Sequence, residues 1–317
     1  MQQLFNLVAK HHLKVESTGF VINKEWMSQS TFDQIKSLIM SQLSPLTKLI
    51  GIGDREMDKA LIRYDLRIKQ IIKNDMQINQ PHCLFDWAMS ASKGDQHSKS
   101  FISFIHDEIS QLLASLDPKF LSSVKNTAKQ IVFSFDDNPE LKNNPSFMNY
   151  LGEIVGLNFI LQKEKTRFNL LSIEKKLANS KSADFEFLDN SNGDVVLIEF
   201  VSLHGIDPSK IENVEIFKEF LESRFNQKIE AKTVNMINHH HRIEMLDGSK
   251  PNFTILPILW SEVQFLLPFR KAFDDLNTKY ANVLPCVSLL PQLLEDETVH
   301  FSLATVSNIL DRWEQQR

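Results

Sequence analysis

Cysteine is almost absent from this chain. Cys83 and Cys286 are the two among 317 residues, they lie far apart, and no CxxC pair occurs. A disulfide framework is thereby excluded, and a reducing, cytoplasmic setting is the simplest home. Glycine and proline are scarce too, at 9 and 11 residues, which sets aside collagenous and low-complexity classes. No stretch of about 18 apolar residues is present, so no membrane span is expected. The opening MQQLFNLVAKHHLKVE lacks the apolar core of a signal peptide, so the protein should be soluble. A basic excess is also missing. The net charge is −5, divided as +1 over residues 1–150, −3 over 151–235 and −3 over 236–317. Nucleic-acid binding by bulk charge is therefore excluded, and any such contact must come from a local patch. No GxSxG elbow, kinase set or zinc ribbon appears, and Gly51-Ile52-Gly53 is a lone GxG with no Lys-Ser/Thr after it.

What is present is a globular composition, 42% hydrophobic and 24% charged, enough for one large domain or two ordinary ones. Residues 1–140 read as a mainly helical region, with a short strand possible at Thr18–Ile22. Phe32, Ile35, Leu38 and Ile39 have helical spacing, with Ser30 or Thr31 as N-cap. Asp54–Lys73 and Phe101–Leu116 carry similar patterns, and Phe101 and Phe104 read as helix core. The turn formers of Asp136–Ser146 mark a boundary, so residues 141–317 form the second unit. There, an apolar helix at Ser146–Gln162 precedes strands at Phe168–Lys175, Ala183–Leu188 and Val195–Ser202. The last two are joined by a turn holding Asn192-Gly193. Asp207-Pro208 offers an N-cap and N1 proline for a helix reaching about Met236, and Asn252–Trp260 is a buried strand. The order is α-β-β-β-α-β. A helix around Glu262–Tyr280, an apolar run Val283–Leu290 and a terminal helix around Leu303–Gln316 complete the expectation as a C-terminal helical extension. The histidines of Asn238–His241, like His11-His12, read as surface loop.

Three local features carry chemistry. Glu153 is the lone charge between Lys142 and Lys163, on a helix apolar nearly all round. A buried carboxylate there needs compensation; the plainer alternative is that it lies on the one exposed stripe or caps a loop. Glu199 interrupts the run Val195–Val201, which has the composition of a strand covered on both faces. Asp184 and Glu186, two apart on the preceding strand, face one side, and the hairpin can bring them beside Glu199. Clustered carboxylates repel. A divalent ion with oxygen ligands, Mg²⁺ or Mn²⁺, would relieve that repulsion, as would a plain salt bridge at the strand end. On the helix after Pro208, Val214, Phe217, Leu221 and Phe225 define the apolar face, and Arg224, Lys228 and Lys232 fall on that same face. Those bases should meet something negative there, or else reach water along their stems.

Together these residues resemble the PD-(D/E)XK nuclease superfamily, over about 115 residues from Pro145 to Trp260. The resemblance implies an α/β fold with an αβββαβ, restriction-endonuclease-like core. Glu153 would be the helix acid, Asp184 the Asp opening the second strand, and Glu199 the third-strand acid. At the family's lysine position stands Val201, so the lysine would come from the following helix. Lys228 is the first candidate, with Lys232 next. Arg224, Lys232 and His204 would contact substrate phosphate. The activity implied is Mg²⁺- or Mn²⁺-dependent phosphodiester hydrolysis, with Asp184 and Glu199 on the metal, in a setting such as microbial defence by family habit. The N-terminal helical region would choose a nucleic-acid or protein partner. The alternative is a nuclease-like module that has lost catalysis and only binds nucleic acid or a protein. Carboxylate repulsion in the empty cluster further predicts that Glu199→Gln raises stability without metal.

Overall fold

The computed structural model describes residues 28–74, 81–134, 146–203, 213–232, 235–237, 240–249, 251–260, 272, 287–293, 299–305 and 308. Within these the protein is mixed α/β. The N-terminal helices are α1 (Gln29–Gln42), α2 (Ser44–Ile50), α3 (Asp54–Lys73), α4 (Leu84–Ser92), α5 (Gln96–Ser115) and α6 (Leu121–Phe133). The cap of α1 lies earlier than the sequence pattern suggests. Ser28 accepts the N–H of Thr31 on its hydroxyl, and Thr31 itself is buried inside the helix. Gly51, at φ 67°, ends α2, and the backbone N–H of Gly53, the residue before α3, donates to Glu56. The GxG is thus helix punctuation, and a phosphate has no place in that role. No described helix is long and apolar enough to cross a membrane.

Helices α3 and α4 are tied by a buried polar network. Asp86 accepts from Tyr64 Oη at 2.8 Å, from both terminal nitrogens of Arg67 at 2.9 and 3.2 Å, and from the His82 backbone N–H at 2.8 Å. Cys83 is fully buried beside it, and burial pushes its thiol well up, so it packs as an inert apolar group. Phe101 and Phe104 are core, as their spacing suggests. The Phe101 ring lies tilted against Trp87, 4.1 Å between centroids, and meets Phe301 edge-on.

Helix α7 (Ser146–Lys163) is followed by β1 (Phe168–Lys176), β2 (Ser182–Asp189), β3 (Asp194–Leu203), α8 (Val214–Lys232), a short hairpin β4 (Asn235–Ile237) and β5 (His240–Arg242), and then β6 (Asn252–Trp260). The α-β-β-β-α-β order is therefore present, with one hairpin inserted before the last strand. Strands β1, β2 and β3 form an antiparallel meander, and β6 lies parallel to β3. Strands β7 (Val287–Leu293) and β8 (Val299–Thr305) extend the sheet in the order β1-β2-β3-β6-β7-β8. The β2–β3 turn has four residues. Gly193, at φ 78°, donates its N–H to Asp189 O and supplies the left-handed position there.

Three expectations are corrected here. Helix α8 is described to Lys232, short of Met236, which lies in β4 and pairs with His241 of β5, a cross-strand partner that a helix would deny it. His240 and His241 belong to β5 and are not in a loop. Val299–Thr305 is a strand, where a terminal helix was expected to begin at Leu303. Its alternation of Val299, Phe301 and Leu303 with polar or small residues has a period of two, and pairing with β7 selects that period over the helical one. The expected boundary segment as far as Pro145, the strand at Thr18–Ile22, the Asp207-Pro208 cap, nearly all of Glu262–Tyr280, the expected terminal helix after Thr305 except Asn308, and His11-His12 lie outside the described residues.

One hydrophobic core runs from α1 through α7 to the α7-facing side of the sheet. Val196, Ile198 and Phe200 of β3 belong to this core, with Phe200 against Gly156 of α7, whereas Leu197 belongs to a smaller cluster with Leu177, Ala183, Ile243 and Met245. Gly152 and Gly156 let α7 approach β3 closely. A Cβ on Gly156 would lie 2.8 Å from the Phe200 ring and 3.0 Å from Ile258, and one on Gly152 would strike Ser202 Oγ. Gly156→Ala is therefore expected to destabilise by about 1–3 kcal/mol, as overpacking does. Denaturant midpoints check this, and an unchanged midpoint would show that the ring simply moves aside.

Candidate active site

The β2–β3 ladder ends at Phe185↔Ile198. One step further, Asp184 and Glu199 would face each other, and here side chains take over from the backbone. Asp184 Oδ2 accepts the N–H of Phe200 at 2.8 Å, and Glu199 Oε2 accepts the N–H of Asp184 at 3.3 Å. The two carboxylates thus interlock across a fork where the strands part. Such bonds satisfy peptide groups that the lost ladder would leave bare, and they fix both acids in place.

Helix α8 supplies the opposing charge. Phe217, Leu221 and Phe225 are buried, so the apolar face read from the sequence is the packed one. Lys228 and Lys232, one turn apart, both reach Glu199 Oε1, at 3.2 and 3.0 Å. Lys232 also donates to the carbonyl of Ser182 on β2. Glu199 has no exposed surface, Lys232 is 14% exposed and Lys228 39%. Lys232 is thus a fixed tether, and Lys228 is the ammonium within reach of an incoming molecule. Arg224 does not join them. Its guanidinium lies over the Phe220 ring, 5.5 Å from the centroid, and it makes no ion pair among the described residues. Glu186 is also apart, since Ser172 Oγ at 2.6 Å and Lys175 Nζ at 3.0 Å draw it to β1. Val201, at the position of the missing lysine, is buried. His204 lies outside the described residues.

The electrostatics follow from this crowding. Asp184 is pushed up to about 7, chiefly by burial and then by the charge of Glu199, against the pull of Lys228, the Phe200 N–H and Lys232. Glu153, half-buried on α7, is held well above the usual carboxylate range by burial, then by Asp184. Lys228 opposes that shift, while Glu199 and Glu174 add to it. Lys228 itself is raised. Burial opposes this, but Asp184, Glu199 and the bond to Glu199 outweigh it. Hydrogen bonds and ion pairs therefore join Asp184, Glu199, Lys228 and Lys232, and Glu153 on α7 feels their charge.

Glu174 was not legible. It has a left-handed φ of 55° and falls on β1 between the pairs Ile173↔Phe185 and Lys175↔Ala183, hence opposite Asp184. A glutamate has no intrinsic preference for that conformation, so no sequence signal marks it. Gly152 and Gly156, which let α7 lie close against β3 beside Glu153, carry a fainter signal. It is their spacing of four on an apolar helix.

A pH dependence follows with a definite sign. The folded protein holds the Asp184 proton more tightly than the unfolded chain, whose ordinary value is 3.8. The resulting stabilisation is complete below that value and is lost as pH rises through about 7. In metal-free buffer, the melting temperature of the wild type should therefore fall between pH 5 and 8 relative to that of Asp184→Asn. Parallel calorimetric curves for the two proteins would rule this out.

No family model matches the chain, and searches of curated proteins and of solved structures return no match.

Proposed function

We propose that the chain is a metal-dependent phosphodiesterase acting on nucleic acid, with a PD-(D/E)XK-like, restriction-endonuclease-like core. The observation that carries this reading is the interlocked pair Asp184 and Glu199 at the β2–β3 fork, faced by Lys228 from α8. Among the described residues no three His, Cys, Asp or Glu side chains form a ready metal cage. Two carboxylates nonetheless suit Mg²⁺, which keeps most of its waters and takes one or two protein carboxylates plus phosphate oxygens. The raised Asp184 points the same way, because a cation would favour its charged form.

Asp184 and Glu199 would hold the ion. When bound, it supplies a polarised phosphoryl oxygen and a more acidic water. Lys228, the more exposed ammonium, would steady the charge that develops on the phosphorane oxygens, the role that Val201 cannot fill. Lys232 would position Glu199 through its second bond to Ser182 O. Glu153 would orient the attacking water from α7. Contact with substrate phosphates by Arg224 is not part of this reading, since its guanidinium lies over Phe220.

A binding-only module is the second reading. It is favoured by Glu199 Oε1, already shared by two ammonium groups, and by the buried valine where a lysine would stand. A panel of single- and double-stranded DNA and RNA, incubated with purified protein in Mg²⁺, Mn²⁺ or EDTA, separates the two. Cleavage abolished by EDTA supports the enzyme, whereas retention of an oligonucleotide with no cleavage in either metal supports the module.

A further inference from the structure

Three facts about Glu199 point beyond its role as a ligand. Its Oε2 is taken by the Asp184 N–H, and its Oε1 by Lys228 and Lys232 together. A divalent ion approaching this oxygen therefore meets two positive charges within 3.2 Å of its target. The two lysines are also unequal. Lys232 is nearly buried and has a second partner in Ser182 O, so leaving would cost it two bonds. Lys228 is half-exposed, and its hydrogen bond among the described residues goes to Glu199 alone.

We propose that Lys228 is a resident stand-in for the metal, released from Glu199 when a divalent ion binds and transferred to a phosphate of the nucleic acid. This rests on the metal-site reading above and adds an order to it: ion loading and phosphate binding are linked through one ammonium. Without substrate, displaced Lys228 goes to water and the ion binds weakly. With a phosphate present, Lys228 gains an anion in place of Glu199, and the ion binds more tightly. Linkage makes this reciprocal, so the ion must strengthen oligonucleotide binding by the same factor. The design would keep a buried acid neutralised in the empty protein, where an unpaired charge would be costly, and would confine full metal occupancy to the substrate complex.

The test is Mn²⁺ titration of the full chain, followed by electron paramagnetic resonance, for wild type, Lys228→Met and Lys228→Gln. Removing the competing charge should tighten Mn²⁺ binding by roughly tenfold. A short oligonucleotide with phosphorothioate linkages should tighten it further in wild type, but not in either variant. Unchanged or weaker Mn²⁺ binding in both variants, with wild-type binding intact, overturns the exchange and leaves the metal site standing. Absence of Mn²⁺ binding in all three proteins overturns the metal site and the exchange with it. A readout on wild-type protein needs no variant to fold. The side-chain ¹⁵N resonance of Lys228 should shift on Mg²⁺ addition while that of Lys232 stays, and equal or absent shifts would contradict the exchange.

Discussion

Asp184→Asn should reduce metal-dependent cleavage by about a thousandfold or more, because several kcal/mol of charge stabilisation is lost with the ion. The variant should nevertheless fold. An asparagine oxygen can still accept the Phe200 N–H that Asp184 Oδ2 holds at 2.8 Å, and a charge raised by burial and by Glu199 disappears. Loss of activity with a raised melting temperature above pH 7 is therefore the expected pair of results. Glu199→Gln should abolish cleavage as well, but with the opposite effect on stability. The sequence suggested that removing this acid relieves repulsion. The geometry reverses that expectation, since Glu199 is the counter-charge of two lysines and also accepts the Asp184 N–H. Stripping a buried partner leaves the others uncompensated, at a cost of about 3 kcal/mol. Undiminished cleavage by Asp184→Asn in a pure, EDTA-controlled assay would remove the acid pair from the chemistry.

The second large effect concerns the lysines. Lys228→Met should slow cleavage by about two to three orders of magnitude, the usual cost of removing one donor to a developing anion. Its stem volume is kept and its head is already half-exposed, so the fold should tolerate the change. Lys232→Met should behave differently. With 14% exposure and two partners, its ammonium holds α8 to both Glu199 and β2, so its loss should appear first as a lowered denaturant midpoint. Equal stability and equal rates for both variants would mean that neither ammonium acts on substrate, and the binding-only reading would take over.

The site was partly legible because its acids break local rules. Glu199 stands inside an otherwise apolar strand, Glu153 inside an apolar helix, and Lys228 and Lys232 on the buried side of α8, and each violation costs energy that something must return. Helical angle alone brought the two lysines to the sheet. It failed for Arg224, which shares their face but leans on Phe220; a direction along a helix does not fix where a long side chain ends. The fork at Asp184 and Glu199 was not legible, since it depends on where the β2–β3 ladder stops. Nor was the pairing of β7 with β8, where a short apolar run fits helix and strand alike until a neighbour decides. The element order was readable from period and turn residues. The inserted β4–β5 hairpin was not, because three-residue strands carry almost no periodic signal.

A crystal grown with Mn²⁺ and an uncleavable oligonucleotide brings these questions to one point in an anomalous difference map. The predicted result is a peak touching carboxylate oxygens of both Asp184 and Glu199, with a phosphate oxygen beside it. A map without a peak at that fork, or with its peak among other side chains, would contradict metal-dependent cleavage at this site.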